Sequence, residues 1–262
     1  MVEEYLCTDG LPITLSPIYK GDAVYEDIFE NRDPRLRQTV LHPADAASYS
    51  WGATVPLLLG VSGSGSLTGY QTIKFFNQQI NLLGHDGYTP CIILRFGEVL
   101  LNYAEAKAEL GTLTQADLDK SINKLRARVG MPNMNLSNIP VDPRYTSDGV
   151  SPLIVEIRRE RRVELFSEGF RYDDLRRWKQ GAKLTKKDYG IRWDAAYKAK
   201  YDPTNKCSLK SENYPGTTIN YICPNKGGNF ENPVFEQKHY LWPIPVSARS
   251  ENPALGQNPG WQ

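Results

Sequence analysis

Apolar residues recur at helical spacing in four places in the middle of the chain. Phe96, Leu100, Ala104 and Ala108 fall four apart, so they share one face of a predicted helix over Ile93–Leu110, closed by Gly111. Gly97, Ala104, Ala106 and Ala108 keep that helix slim, which lets a neighbour approach closely. Leu118, Ile122, Leu125 and Val129 predict a second helix over Gln115–Val129. Thr114 can cap its start, and Gly130-Met131-Pro132 stops it. The two form an antiparallel hairpin of about the tetratricopeptide length. Ser151-Pro152 opens a third helix, Leu153–Ser167, with Ser as N-cap and Pro at the first helical position. A fourth, about Tyr172–Gln180, ends at Gly181.

The flanks lack this periodicity. Asp9-Gly10 and Leu11-Pro12 are turn signals, and Asn31 or Asp33 can cap a helix begun by Pro34. Gly60–Ser66 carries no Gly-Lys-Ser/Thr, so it reads as a surface loop and not as a phosphate cradle. Residues 182–238 are rich in turn residues such as Asp202-Pro203 and Gly227-Gly228. The prolines of Tyr240–Pro245, Asn252-Pro253 and Asn258-Pro259 then predict an extended tail. The pattern gives a mostly α fold of helix pairs with long irregular loops. Residues 1–91 are loop-rich, 92–181 form a helical scaffold, and 182–262 are loops and tail, all within one region spanning 1–262.

Charge narrows the function. The 31 Lys and Arg against 30 Asp and Glu leave a net charge of +1, without the basic field that nucleic-acid binding needs. No apolar run approaches the roughly 20 residues of a membrane span. The acids Glu3 and Glu4 stand where a secretion signal would be basic, and only six residues precede Cys7, too few for a lipidation signal. Cys7, Cys91, Cys207 and Cys223 are scattered, and so are His42, His85 and His239. No metal or cofactor is expected from such spacing. Cys207 and Cys223 bracket a loop and could be bridged in an oxidising compartment; separate free thiols are the preferred reading.

The most charged stretch runs from Glu156 through Arg177, with seven Arg residues against six acids. Interleaved Ile157, Leu165, Phe166, Leu175 and Trp178 point to a structural ion-pair network, because the planar guanidinium makes two-pronged bonds that orient helices. The expected pairs join Arg158, Arg161 or Arg162 to Glu164, Glu168, Asp173 or Asp174, beside Trp178. Asp173 and Asp174 are adjacent and diverge on a helix, which does not suit a glycosidase pair. No nucleophile elbow or His-Glu-x-x-His motif occurs, so no catalytic residue is assigned and no enzyme is expected.

Four segments together resemble the SusD/RagB family of Bacteroidetes outer-membrane nutrient-binding lipoproteins. They are Asn31–Leu36; Leu94–Ala106 with Leu125–Gly130; Ile157–Leu165 with Glu168–Trp178; and Tyr240–Pro245 with Asn252–Leu255 and Gln257–Trp261. The resemblance implies a SusD-like α-α superhelix and a non-catalytic, cell-surface role. In that role the protein captures glycan or another nutrient for a SusC-type TonB-dependent transporter in the outer membrane. Members of the family are typically about twice this length, so a missing N-terminal half is expected, and with it the lipid anchor absent from this sequence. A chain lacking that half should expose an apolar patch where Ile92, Ile93 and Leu94 join Val99, Leu100 and Leu101, or cover it by self-association.

The rival readings are a protein-interaction scaffold that binds no sugar, and a glycoside hydrolase. Sugar sites pair flat aromatic rings with planar polar groups on exposed loops. On that ground Trp51 leads the candidate ligand contacts, with Tyr49, Tyr70 and Asn77. A second candidate set is Trp193, Tyr197, Tyr201, Tyr214 and Tyr221.

Overall fold

The computed structural model describes residues 1–49, 55–56, 58–61, 65–76 and 92–261. Two compact units result: residues 1–169 with 189–224, and residues 170–188 with 225–262.

The first unit contains helix α1, Pro34–Thr39. Asp33 caps it by accepting the N–H of Arg35, and Pro34 occupies the first turn, where no donor is needed. Helix α2, Phe96–Glu109, buries Leu100, Leu101 and Ala104. The predicted second helix is divided into α3, Gln115–Lys120, and α4, Ile122–Arg128. At the break, the Ser121 hydroxyl donates to Asp117 O at 2.6 Å, a local bond that competes with the helical ladder. Thr114 and Asp117 form a reciprocal capping box at the start of α3. Helix α5, Pro152–Glu164, is capped by Ser151 and packs along α2. Helix α7, Ala195–Tyr201, and a two-stranded antiparallel hairpin complete the unit. The strands are β1, Ser211–Asn213, and β2, Asn220–Ile222, with Glu212 opposite Tyr221.

Much of the core lies where periodicity gave no signal. Tyr5, Tyr25, Ile28, Leu36, Leu41 and Leu58 pack in one cluster with Ile191, Trp193, Tyr197 and Ile222. The irregular segments meet through short bridges. Gly190 N–H donates to Ile222 O, and Ile191 N–H donates to Thr68 O. A side chain at position 190 would come within 2.2 Å of Thr68 O, so only glycine permits this approach.

The second unit holds α6, Phe170–Arg177, and α8, Val246–Glu251. Arg176 lies over the rings of Tyr172 and Trp242 and donates to Tyr240 O at 2.7 Å. The tail is not extended throughout, because Val246–Glu251 is free of proline and winds into α8. Its ends are tied by Gln257 to both backbone groups of Ile244, and by Trp261 Nε1 to Lys238 O and Leu241 O.

The expected apolar patch is present in part: Ile92, Ile93, Leu94 and Val99 are exposed, whereas Leu100 and Leu101, on the other side of α2, are buried. Ile93 is 91% exposed, and Phe96, Val99, Tyr103 and Leu110 are exposed along the outer face of α2. Among the described residues no helix is long and apolar enough to cross a membrane.

The two faces of α2 should respond oppositely to substitution. Phe96→Ser with Leu110→Ser should shift folding stability by no more than about 0.5 kcal/mol, as at exposed sites generally. The same variant should lower binding of a hydrophobic dye. Leu101→Ala, on the buried face, should cost about 2–5 kcal/mol in urea unfolding. Equal losses on both faces would contradict this assignment.

Candidate functional site

The charged stretch is a scaffold centred on α5. Glu156, Glu160 and Glu164 are four apart and therefore share a face, and all three are buried. Arg35 Nη1 reaches Glu160 at 2.6 Å and Glu164 at 2.9 Å, while its other nitrogens grip Asp33. Arg126 Nε donates to Glu160 at 2.9 Å. Arg95 bridges Glu164 at 2.7 Å and Glu168 at 2.7 Å, and Arg128 adds a contact to Glu164. Lys74 donates to Glu168, Glu164 O and Phe166 O, which closes the end of α5.

A second cluster joins α5 to the N-terminal turn. Arg159 contacts Glu156, Glu4 and Asp142, the last at 2.6 Å. Arg162 contacts Glu4 at 2.8 Å, and Tyr145 donates its hydroxyl to the same carboxylate. Burial alone would raise Glu4, but Arg162 and Arg159 override it and hold the carboxyl down to about 2. Asp142 is likewise held at about 2, burial being outweighed by Arg144 and Arg159. Glu160 and Glu164 are lowered against burial in the same way. Glu156 goes the other way, with burial pushing it up.

The expected network residues are engaged, but Arg158, Arg161 and Arg162 reach partners other than the four acids expected of them. Arg158 reaches Glu109 at 3.1 Å, Arg161 reaches Asn102, and Arg162 reaches Glu4. Glu164 and Glu168 take Arg35, Arg95, Arg128 and Lys74. Asp173 and Asp174 pair along α6 with Arg176 and Arg177, and Trp178 lies beneath Arg171 and Arg177. Nothing local in the sequence marks the roles of Arg35, Arg95 and Arg126, whose partners on and beside α5 lie from 34 to 129 residues away.

The aromatic candidates separate into two environments. Trp193, Tyr197 and Tyr201 are buried in the core. Tyr70 is half-buried and stacks on Tyr25 at 6.1 Å, so it packs under the loops. Trp51, Asn77 and the side chain of Tyr49 lie outside the described residues. At the surface, Tyr214 contacts Tyr189 edge-on at 5.0 Å and Tyr221 at 5.6 Å. Tyr189 donates to Glu212 at 3.0 Å, and Tyr221 donates to Asp22. This array belongs to the β1–β2 hairpin, where Tyr214 N–H bonds to Ile219 O. Tyr189 was not singled out from the sequence. Cys7, Cys207 and Cys223 are free thiols, so Cys207 and Cys223 are not bridged. Among the described residues no group of three His, Cys, Asp or Glu side chains is placed to hold a metal.

The chain matches the family model described as the SusD family over residues 1–261. No curated protein matches it. A SusD-like protein of Bacteroides fragilis is similar in structure, with a TM-score of 0.63 and 25% identity; the match covers 99% of this chain and 45% of that one. A SusD-like carbohydrate binding protein of the same species gives a TM-score of 0.61 and 26% identity, covering 97% of this chain and 47% of that one. The chain therefore spans about half the length of these neighbours.

Two measurements test the charge scaffold. Glu160→Ala leaves Arg35 and Arg126 short of a buried partner and should cost about 3–5 kcal/mol in urea unfolding, far more than the exposed Asp173→Ala. Stability should also fall on acidification. The unfolded carboxyls titrate near about 4, whereas Glu4 and Asp142 titrate at about 2 in the fold. Across that window the native state binds fewer protons than the unfolded one, so stability is present above it and lost as pH falls through the folded values. Glu156 contributes in the opposite sense. Melting curves taken down the pH scale should drop through this window, and less steeply for Glu4→Gln.

Proposed function

Because the chain belongs to the SusD family, we propose that it works in the capture of a glycan or other nutrient at the outer membrane. It acts as the non-catalytic binding component of a SusC/SusD-type system and hands its ligand to a SusC-type TonB-dependent transporter. The observation that carries this reading is a family match running along essentially the whole chain. The Bacteroides fragilis neighbour described as carbohydrate binding supports it. So does a scaffold whose buried charges are neutralised within the fold, which leaves the loops and the hairpin to meet ligand. On sequence grounds Trp51, Tyr49 and Asn77 are proposed contacts of that ligand.

The exposed stripe on α2 favours a second reading, a scaffold that binds a partner polypeptide and no sugar. Pull-down with insoluble polysaccharides separates the two. Retention on at least one of them, without release of reducing ends, is the expected result. Release of reducing ends would point to a hydrolase. Failure on every polysaccharide, together with co-purification of a polypeptide partner that Phe96→Ser abolishes, would favour the scaffold.

A further inference from the structure

We propose that Glu156 is a proton-operated switch on Arg159, setting how much of that guanidinium is left to hold the N-terminal turn and the segment at Asp142 against α5. The switch is a property of the scaffold and holds whether or not the protein binds a nutrient.

Arg159 serves three carboxylates at once. Its Nε donates to Glu156 at 3.0 Å, its Nη1 to Glu4 at 3.2 Å and its Nη2 to Asp142 at 2.6 Å. Two of the three acids have further donors. Glu4 also accepts from Arg162 at 2.8 Å and from the Tyr145 hydroxyl. Asp142 also accepts from the Arg144 guanidinium at 2.7 Å, from the Arg144 N–H at 3.0 Å and from the Thr14 hydroxyl at 3.1 Å. Glu156 has the Arg159 contact alone. It is 1% exposed, and its Oε2 is buried with no hydrogen-bond partner among the described residues. Arg126, on α4, lies within electrostatic reach of Glu156, but its Nε is bonded to Glu160 at 2.9 Å.

A carboxylate oxygen enclosed without a donor costs more charged than neutral. Glu156 is therefore the member of the trio that takes up a proton first. Burial pushes its carboxyl up, against the pull of Arg159 and Arg126, and the Asp142 charge adds to the rise. Glu4 and Asp142 stay ionised down to about 2. With Glu156 neutral, the charge of Arg159 goes to Glu4 and Asp142, the two partners contributed by other segments. With Glu156 ionised, three anions divide one cation. The other charges around the cluster are already matched: Arg162 to Glu4, Glu160 to Arg35 and Arg126, and Arg144 to Asp142 and Glu3. None of them is spare to compensate a newly formed Glu156 anion.

Carbon-13 NMR of the whole chain, titrated across the acid and neutral range, tests this. The Glu156 carboxyl should titrate above the unfolded value of about 4. A midpoint at or below that value overturns the proposal. In Glu4→Gln, Arg159 has one rival fewer, so the Glu156 midpoint should move down; Asp142→Asn serves the same purpose if Glu4→Gln does not fold. An unchanged midpoint in the folded variant means that the guanidinium is not shared and overturns the switch. Urea unfolding gives a second readout. Stability from Glu156 is present below the unfolded value and lost as pH rises through the raised folded midpoint. Glu156→Gln, which imitates the neutral acid, should match the parent at the acid end and exceed it above the midpoint. There the parent's unfolding equilibrium constant should be larger by about tenfold for each pH unit by which the midpoint is raised. A Glu156→Gln that is less stable than the parent at neutral pH, or that does not fold, shows that the carboxylate itself is required and overturns the switch.

Discussion

Three carboxylates on one face of α5 are withdrawn from water, and the scaffold is arranged around neutralising them. A buried anion without a cation costs far more than a matched pair returns. Glu156, Glu160 and Glu164 thus oblige Arg159, Arg35, Arg126, Arg95 and Arg128 to stand where they do. Apart from Arg159, which lies on α5 itself, those arginines sit on α1, ahead of α2, and on α4. One row of acids therefore docks three separate parts of the chain against α5. Apolar packing would hold these elements together in several registers, whereas the two-pronged guanidinium contacts penalise every arrangement that leaves a partner behind.

Gly97 shows how closely backbone and charge are matched. It lies in the first turn of α2, and an added Cβ would come within 2.5 Å of Arg95 Nη1. The missing side chain is what lets Arg95 fold back to Glu164 and Glu168. The glycine therefore serves an ion pair more than a turn.

Helix starts were legible in the sequence because caps act locally: Asp33, Thr114 and Ser151 each satisfy a donor within three residues. The break at Ser121 was not, since it depends on a hydroxyl choosing a carbonyl over water. Matched charge identified α5 as a paired element, but the cations that reach Glu160 come from positions 35 and 126, and such pairing leaves no periodic trace. The flanking segments looked like loops because Tyr25, Ile191 and Trp193 enter the core from irregular backbone. For the same reason, nothing in the sequence separated the buried Trp193, Tyr197 and Tyr201 from Tyr214 and Tyr221 at the surface. That division is made by bridges such as Thr68 to Ile191.

The ion pairs also set an order of assembly. Glu4 meets Arg159 and Arg162, 155 and 158 residues further along, and Arg35 meets Glu160 at a separation of 125. A ribosome delivers the N-terminal turn and α1 long before α5 exists. Until then Glu4, Asp33 and Arg35 have only water and their near neighbours, and nothing favours burying them. These N-terminal charges therefore gain their distant partners only once α5 has emerged, so their burial depends on contacts between distant parts of the chain.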